Sequence, residues 1–287
     1  MAILLLWYDP AKSPGYFIIV LTFSFAGLFY TCGFLANSIW DMELEDSYEN
    51  EKREISQAVR QVGQNRLRHY LIIGVVASLG LSILVAWQIN SWVPIALYGV
   101  GLFFGIGYSA PPLRWKERGP LLHAVSLGIS TFFLPFYLVS GMLRGGFNKE
   151  LLILGIGIAL LHYGLEIGNQ LKDWEYDKKR NIHTLPFRSV RGSCITGIAC
   201  VIGGLFWTLA VLASLLDMNP LVFGLTSFVE LAIHFPILIY YWKTVRTFTT
   251  QNTTMQTTLR YSQWQTSSMI GLLLVAFIVK LSSFSHP

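Results

Sequence analysis

"HYLIIGVVASLGLSILVAWQINSWVPIALYGVGLFFGIGYSAPPL", residues 69–113, contains no charged side chain. One bilayer-crossing helix needs about 20 apolar residues, so this run is too long for a single span. Its polar interruption, Gln88-Ile89-Asn90-Ser91, predicts a turn there and one helix on either side. Similar charge-free runs cover residues 13–40, 119–143, 151–165, 192–216 and 261–279, and residues 221–242 carry a single acid, Glu230. Eight spans are predicted in all.

The composition agrees. Of 287 residues, 53% are hydrophobic and 13% charged, against about a quarter charged in an ordinary soluble domain. Backbone groups inside a bilayer must be satisfied within the protein, which leaves helices or closed barrels. Barrel strands alternate apolar and polar residues, and these runs do not. The expected fold class is therefore all-α, a multi-span transmembrane helical bundle forming one domain over residues 1–287. No basic segment precedes the short apolar stretch Ile3–Trp7, so a cleavable signal is not expected.

Charge sets the expected orientation. Segments 41–68, 111–120, 171–192 and 243–260 fall on one side of an eight-span bundle and hold 17 of the 21 lysines and arginines. The positive-inside rule assigns that side to the cytoplasm. The net charge of +5 is then a topology signal and calls for no nucleic acid. Cys32, Cys194 and Cys200 have no ligand spacing and read as small buried hydrophobes.

The acids are distributed less simply. The first span ends in "NSIWDMELED" (37–46), with Asn37, Asp41 and Glu45 at intervals of four. The fifth ends in "GNQLKDWEYDKKRNIHTLPFR" (168–188), with Asn169, Asp173 and Asp177 at the same intervals. Each residue of the second triad lies 132 positions after its counterpart, the pattern of an internal duplication. Helical positions i, i+4 and i+8 stay within an arc of about 80°, so each triad offers its oxygens from one face. His162 and Glu166 continue the second face, and an acid inside an apolar span is by default a functional feature. Glu230 and His234, one turn apart, read instead as a hydrogen-bonded pair within the bundle.

Acids beside bases after a membrane helix are usually a solvated loop. Two triads with matched spacing on one predicted side favour a metal site. Hard divalent cations such as Mg2+ take oxygen ligands, often one or two carboxylates together with substrate phosphate. Lys52, Arg53, Arg114, Lys116, Arg118, Lys172, Lys178, Lys179 and Arg180 surround the triads and could bind phosphate oxygens. The positive-inside rule would place bases there for any function. An apolar, aromatic-rich bundle with a charged mouth suits an amphiphile with a diphosphate head and a hydrocarbon tail, a polyprenyl diphosphate.

Three motifs in order resemble the UbiA-type intramembrane prenyltransferase superfamily. Asn37, Asp41 and Glu45 resemble its NDxxDxxxD signature, "YSAPPLRWKERG" (108–119) its Tyr-Ser-x-Pro-Pro-Leu-x-x-Lys segment, and Asp173, Asp177 and Thr184-Leu185-Pro186 its second signature. Ser38 stands where the family has an acid, Glu45 where it has Asp, and Asn181 where Gly is usual. The resemblance implies nine helices. Because 36 residues precede Asn37, the first family helix is expected to be missing or reduced to Met1–Tyr8.

By this resemblance, Asn37, Asp41, Glu45, Asn169, Asp173 and Asp177 bind Mg2+ that bridges the diphosphate. Arg53, Tyr108, Lys116 and Lys172 or Lys178 hold its oxygens, and Glu166 matches an acid found in some members. Aromatic faces such as Trp40, Phe103, Phe104, Tyr137 and Trp174 could shelter an allylic cation. The implied reaction is prenyl transfer to a small aromatic or lipid acceptor in the membrane, such as a quinone or tocopherol precursor. The rival readings are a membrane terpene synthase using the same ionisation and a non-catalytic transporter or scaffold.

Overall fold

The computed structural model describes residues 16–45, 51–134, 137, 142, 149–179, 182–247 and 271. The described residues fold into nine α-helices: α1 (Tyr16–Glu45), α2 (Glu51–Val62), α3 (Gln64–Gln88), α4 (Val93–Ser109), α5 (Pro120–Leu127), α6 (Lys149–Lys179), α7 (Leu185–Arg188), α8 (Val190–Leu215) and α9 (Pro220–Thr247). No strand occurs among them. Segments Phe17–Met42, Gln64–Gln88, Lys149–Leu171, Val190–Leu215 and Pro220–Arg246 are long and apolar enough to cross a membrane; Val93–Ser109 and Pro120–Thr131 are shorter apolar helices. The predicted first helix, Met1–Tyr8, lies outside the described residues. So does the predicted eighth span, apart from helical Gly271.

The long charge-free run divides where the sequence predicts. α3 ends at Gln88, Ile89 N–H bonds the Val85 carbonyl (2.9 Å), and Asn90 adopts a left-handed φ of 50°, a conformation asparagine tolerates well. Pro94 then lies in the first turn of α4, where its missing N–H is harmless. The predicted fourth span begins as α5 and passes into a π-helical turn, Gly128–Phe133.

α2 is a difference from the sequence reading, which takes residues 41–68 as a polar loop. Ile55, Val59 and Val62 recur at helical spacing among charged neighbours, and this amphipathic stripe makes a surface helix. Val59 and Ser56 are buried, whereas Ile55 and Val62 remain exposed.

The chain divides into two compact units. One comprises Lys12–Asn148 and Glu175–Thr184; the other comprises Met1–Ala11, Lys149–Trp174 and Leu185–Pro287. In the first, α1 packs on α3 and α4 through two apolar clusters. Leu21, Phe25, Val85, Tyr98 and Met142 form one, and Cys32, Ala36, Ile39 and Leu71 the other. The Tyr98 hydroxyl donates to the Val75 carbonyl (2.7 Å) and lies 2.7 Å from Ser78 Oγ, so the buried phenol is satisfied.

In the second unit, α6 and α8 touch backbone to backbone. A Cβ on Gly204 would come 2.3 Å from the Leu161 nitrogen, and one on Gly164 2.7 Å from the Val201 nitrogen. Small residues at such crossings let membrane helices gain packing and dispersion contact. Tyr241 of α9 reaches the same crossing and donates to the Gly164 carbonyl (2.5 Å). Ser189 caps α8 by accepting from Gly192 N–H (2.9 Å), and Asn219 accepts from Val222 N–H (2.9 Å) at the start of α9; both are favoured N-cap residues.

Glu230 and His234 are buried one turn apart on α9 and are hydrogen-bonded to each other, as the sequence suggests, through the Glu230 main chain. His234 Nδ1 lies 2.8 Å from the Glu230 carbonyl oxygen and 3.7 Å from its Oε2. Helical i,i+4 spacing puts the ring over the preceding turn's carbonyl, which wins the nitrogen. A Cβ on Gly271 would lie 2.5 Å from Glu230 Oε1, so glycine at 271 leaves room for the carboxylate.

Candidate active site

α1 continues past its apolar segment to Glu45, so its last turns carry the first triad on one face. Asn37 Oδ1 and Asp41 Oδ2 accept from the same hydroxyl, Ser109 Oγ, at 2.6 and 3.1 Å. Ser109 ends α4, and the chain then turns back through Pro111-Pro112 and a 3₁₀ turn, Trp115–Glu117.

Packing explains that return. A Cβ on Gly107 would meet Trp115 Nε1 at 2.7 Å and Leu113 Cδ1 at 2.8 Å, so glycine there lets the loop fold against α4. Trp115 Nε1 donates to the Phe103 carbonyl (3.3 Å). Arg114 adopts a left-handed φ of 39°, a conformation that non-glycine residues rarely take. Arg118 donates to the Pro112 carbonyl (2.6 Å) and the Leu113 carbonyl. Its guanidinium therefore braces the loop.

The loop delivers Lys116 to Asp41. The ammonium forms an ion pair with Asp41 Oδ1, and the two residues are 5% and 3% exposed. Arg114 lies 4.0 Å from the same carboxylate oxygen and 2.6 Å from Glu117. Lys116 Nζ also stands 5.8 Å from the Tyr108 ring centroid, within reach of the ring's negative face. The Tyr108 hydroxyl is hydrogen-bonded to His123 Nε2 (2.9 Å). Asn37, Asp41, Tyr108 and Lys116 are thus brought together, and Ser109 and His123 join them.

The second triad lies along the end of α6. Asn169 donates to Glu166 Oε1 (3.2 Å), while Asp173 and Asp177 are buried. Asp177 Oδ2 accepts from Thr184 Oγ1 (3.2 Å), and the Asp177 carbonyl accepts from Ile182 N–H (2.9 Å), so the segment after α6 folds back on the acid. Arg53 and Lys178 are exposed. The side chains of Glu45 and Lys172 lie outside the described residues.

Aromatic residues suggested as cation shelters have packing neighbours. Trp40 lies against the Ala36 cluster, Tyr137 stacks on Phe133 at 5.5 Å, and Phe103 contacts Phe104 and Trp115 at 5.2 and 5.4 Å.

Asn37 and Asp41 present the kind of oxygen donors that a hard divalent cation takes. Two oxygen donors, one of them a buried carboxylate, converge within reach of a single hydroxyl. Among the described residues, no group of three or more His, Cys, Asp or Glu side chains is placed to hold a metal. Mg2+ commonly uses one or two carboxylates and takes its remaining ligands from water and substrate phosphate.

Comparison with known proteins agrees with this architecture. A homogentisate phytyltransferase from Synechocystis sp. is 24% identical over 189 residues; the match covers 61% of this chain and 56% of the relative, so the chain spans just over half of that protein's length. A UbiA homolog from Archaeoglobus fulgidus, solved bound to DMAPP and Mg2+, superposes with a TM-score of 0.66 at 15% identity, over 97% of this chain and 92% of that one. The same homolog bound to GPP and Mg2+ gives 0.63 with the same coverage, and a digeranylgeranylglyceryl phosphate synthase structure gives 0.60 at 15% identity over 96% and 90%. The sequence profile of the UbiA prenyltransferase family matches residues 1–259. With that match over most of its length, and with an all-helical membrane fold, the chain belongs to the UbiA prenyltransferase family.

Proposed function

We propose that the protein transfers a prenyl group from a polyprenyl diphosphate to a small acceptor within the membrane, with the diphosphate handled at the cytoplasmic ends of α1 and α6. The observation that carries this reading is the convergence of Asn37 and Asp41 on Ser109, with Lys116 beside the same carboxylate. An oxygen site and an ammonium at one point suit a metal-bound diphosphate.

In this reading Asn37, Asp41 and Glu45 would hold one Mg2+, and Asn169, Asp173 and Asp177 would hold another. When bound, Mg2+ neutralises charge on the diphosphate oxygens as the leaving group departs. Lys116 leaves Asp41 and pairs with those oxygens, while Tyr108 bounds the space in which the ammonium moves. Arg53, Lys172 and Lys178 supply further positive charge at the mouth. The allylic C–O bond breaks, pyrophosphate carries away the electron pair, and the acceptor's nucleophilic atom bonds the allylic carbon and then releases its proton. The buried setting of Asp41 and Lys116 strengthens the contacts these two residues make.

The named relatives support this class of reaction. One is a homogentisate phytyltransferase, and a UbiA homolog has been solved with DMAPP or GPP together with Mg2+. An aromatic acceptor is the preferred reading. The test is pyrophosphate release by purified protein supplied with prenyl diphosphates of several lengths and Mg2+, with and without aromatic acceptors. Acceptor-dependent release with a prenylated product is expected. Release with a cyclic hydrocarbon and no acceptor would identify a terpene synthase, and no release at any length would overturn an enzymatic role.

A further inference from the structure

His123 belongs to no motif of the triads, yet its environment is unusual. It is 3% exposed on an apolar helix, and a buried imidazole needs partners to offset its desolvation. Among the described residues its side chain makes one hydrogen bond, from Nε2 to the Tyr108 hydroxyl (2.9 Å), and Nδ1 has none. The rings are tilted by 56° with centroids 5.5 Å apart. The His123 main chain is anchored, its N–H bonding the Gly119 carbonyl (3.0 Å) and its carbonyl accepting from Ser126 Oγ (3.1 Å).

Tyr108 also neighbours Lys116. Its ring lies 5.8 Å from Lys116 Nζ, and Lys116 pairs with Asp41. Lysine carries its charge on a flexible stem, so its position depends on what surrounds the ammonium. Asp41 holds it at one point and the face of Tyr108 bounds it at another. A phenol that could swing away would remove the second.

We propose that His123 is a positioning residue for the diphosphate head: it locks Tyr108 so that the ring face keeps Lys116 aimed at the anion. This rests on the diphosphate reading above. It adds a residue on α5 that acts through Tyr108 without touching substrate.

The experiment measures binding of inorganic pyrophosphate, with Mg2+, to detergent-purified protein by calorimetry. His123→Phe removes the hydrogen bond and keeps a ring; Tyr108→Phe removes it from the other side; His123→Gln restores a polar partner. Loss of one such bond is expected to weaken binding about fivefold, with His123→Gln within about twofold of wild type. The double variant should be no weaker than either single one, as required when two changes break one interaction.

The decisive arm places His123→Phe in a Lys116→Met background, where it should have no further effect. An equal loss in that background would make His123 a general structural residue and overturn the proposal. So would unchanged binding in His123→Phe and Tyr108→Phe. If His123→Phe does not fold, Tyr108→Phe and His123→Gln decide the same question. Wild-type protein that binds no pyrophosphate would overturn the diphosphate reading together with this one; normal wild-type binding and a Lys116→Met defect, with no His123 effect, would overturn this one alone.

Discussion

Lys116 and Asp41 form a buried ion pair at the end of α1, with Arg114 4.0 Å from the same carboxylate oxygen. A metal ion at Asp41 and the Lys116 ammonium repel one another, so the pair must open when a metal binds there. Lys116→Met is therefore expected to tighten binding of Mn2+ alone by about tenfold or more while weakening pyrophosphate binding by a similar factor. Paramagnetic titration and calorimetry would read the two effects separately. Weaker Mn2+ binding in this variant would show that the lysine helps to build the metal site.

Ser109 draws Asn37 and Asp41 to one point. Ser109→Ala removes a hydrogen bond shared by two acceptors and should reduce metal affinity about three- to tenfold, the effect of roughly one lost hydrogen bond. Circular dichroism should show unchanged helix content. Full metal affinity in Ser109→Ala would mean that the triad holds its geometry without α4.

Much of the fold can be read from hydropathy because a bilayer imposes a long, uniform requirement on each span. The turn at Gln88–Ser91 and the approximate extents of α8 and α9 follow from it. α2 was hidden by composition: its charged residues resemble a loop until Ile55, Val59 and Val62 are placed on a helix. The site was legible in part. Spacing of four aligns acids along a helix, but Ser109 meets Asn37 and Asp41 across 72 and 68 residues, and no local pattern encodes such a contact. The pairing of Lys116 with Asp41 depends in turn on a loop folded over Gly107, and His123 carries no motif at all.

The crossing of α6 and α8 gives a stability prediction independent of chemistry. Gly204→Ala would place a methyl 2.3 Å from the Leu161 nitrogen, and backbone cannot yield as a flexible side chain can. Overpacking of this kind costs about 1–3 kcal/mol. Thermal unfolding in detergent should show a lowered midpoint for Gly204→Ala and little change for Gly203→Ala, whose added Cβ meets nothing within 4 Å. Equal midpoints would contradict the close contact.

Thr184 ties the segment after α6 to Asp177. Thr184→Val keeps the side chain's shape and removes the donor, so Mg2+-dependent pyrophosphate binding should weaken about fivefold, on the scale of one hydrogen bond. Calorimetry would detect this directly. No change would place Asp177 outside the binding machinery.

Mn2+ binding in the presence of a prenyl thiolodiphosphate, measured by electron paramagnetic resonance on wild type, Asp41→Ala and Asp173→Ala, tests whether each of these acids is a metal ligand. Each alanine variant should remain folded, lose turnover and bind Mn2+ at least about tenfold more weakly than wild type. Wild-type Mn2+ affinity in both variants would contradict the account.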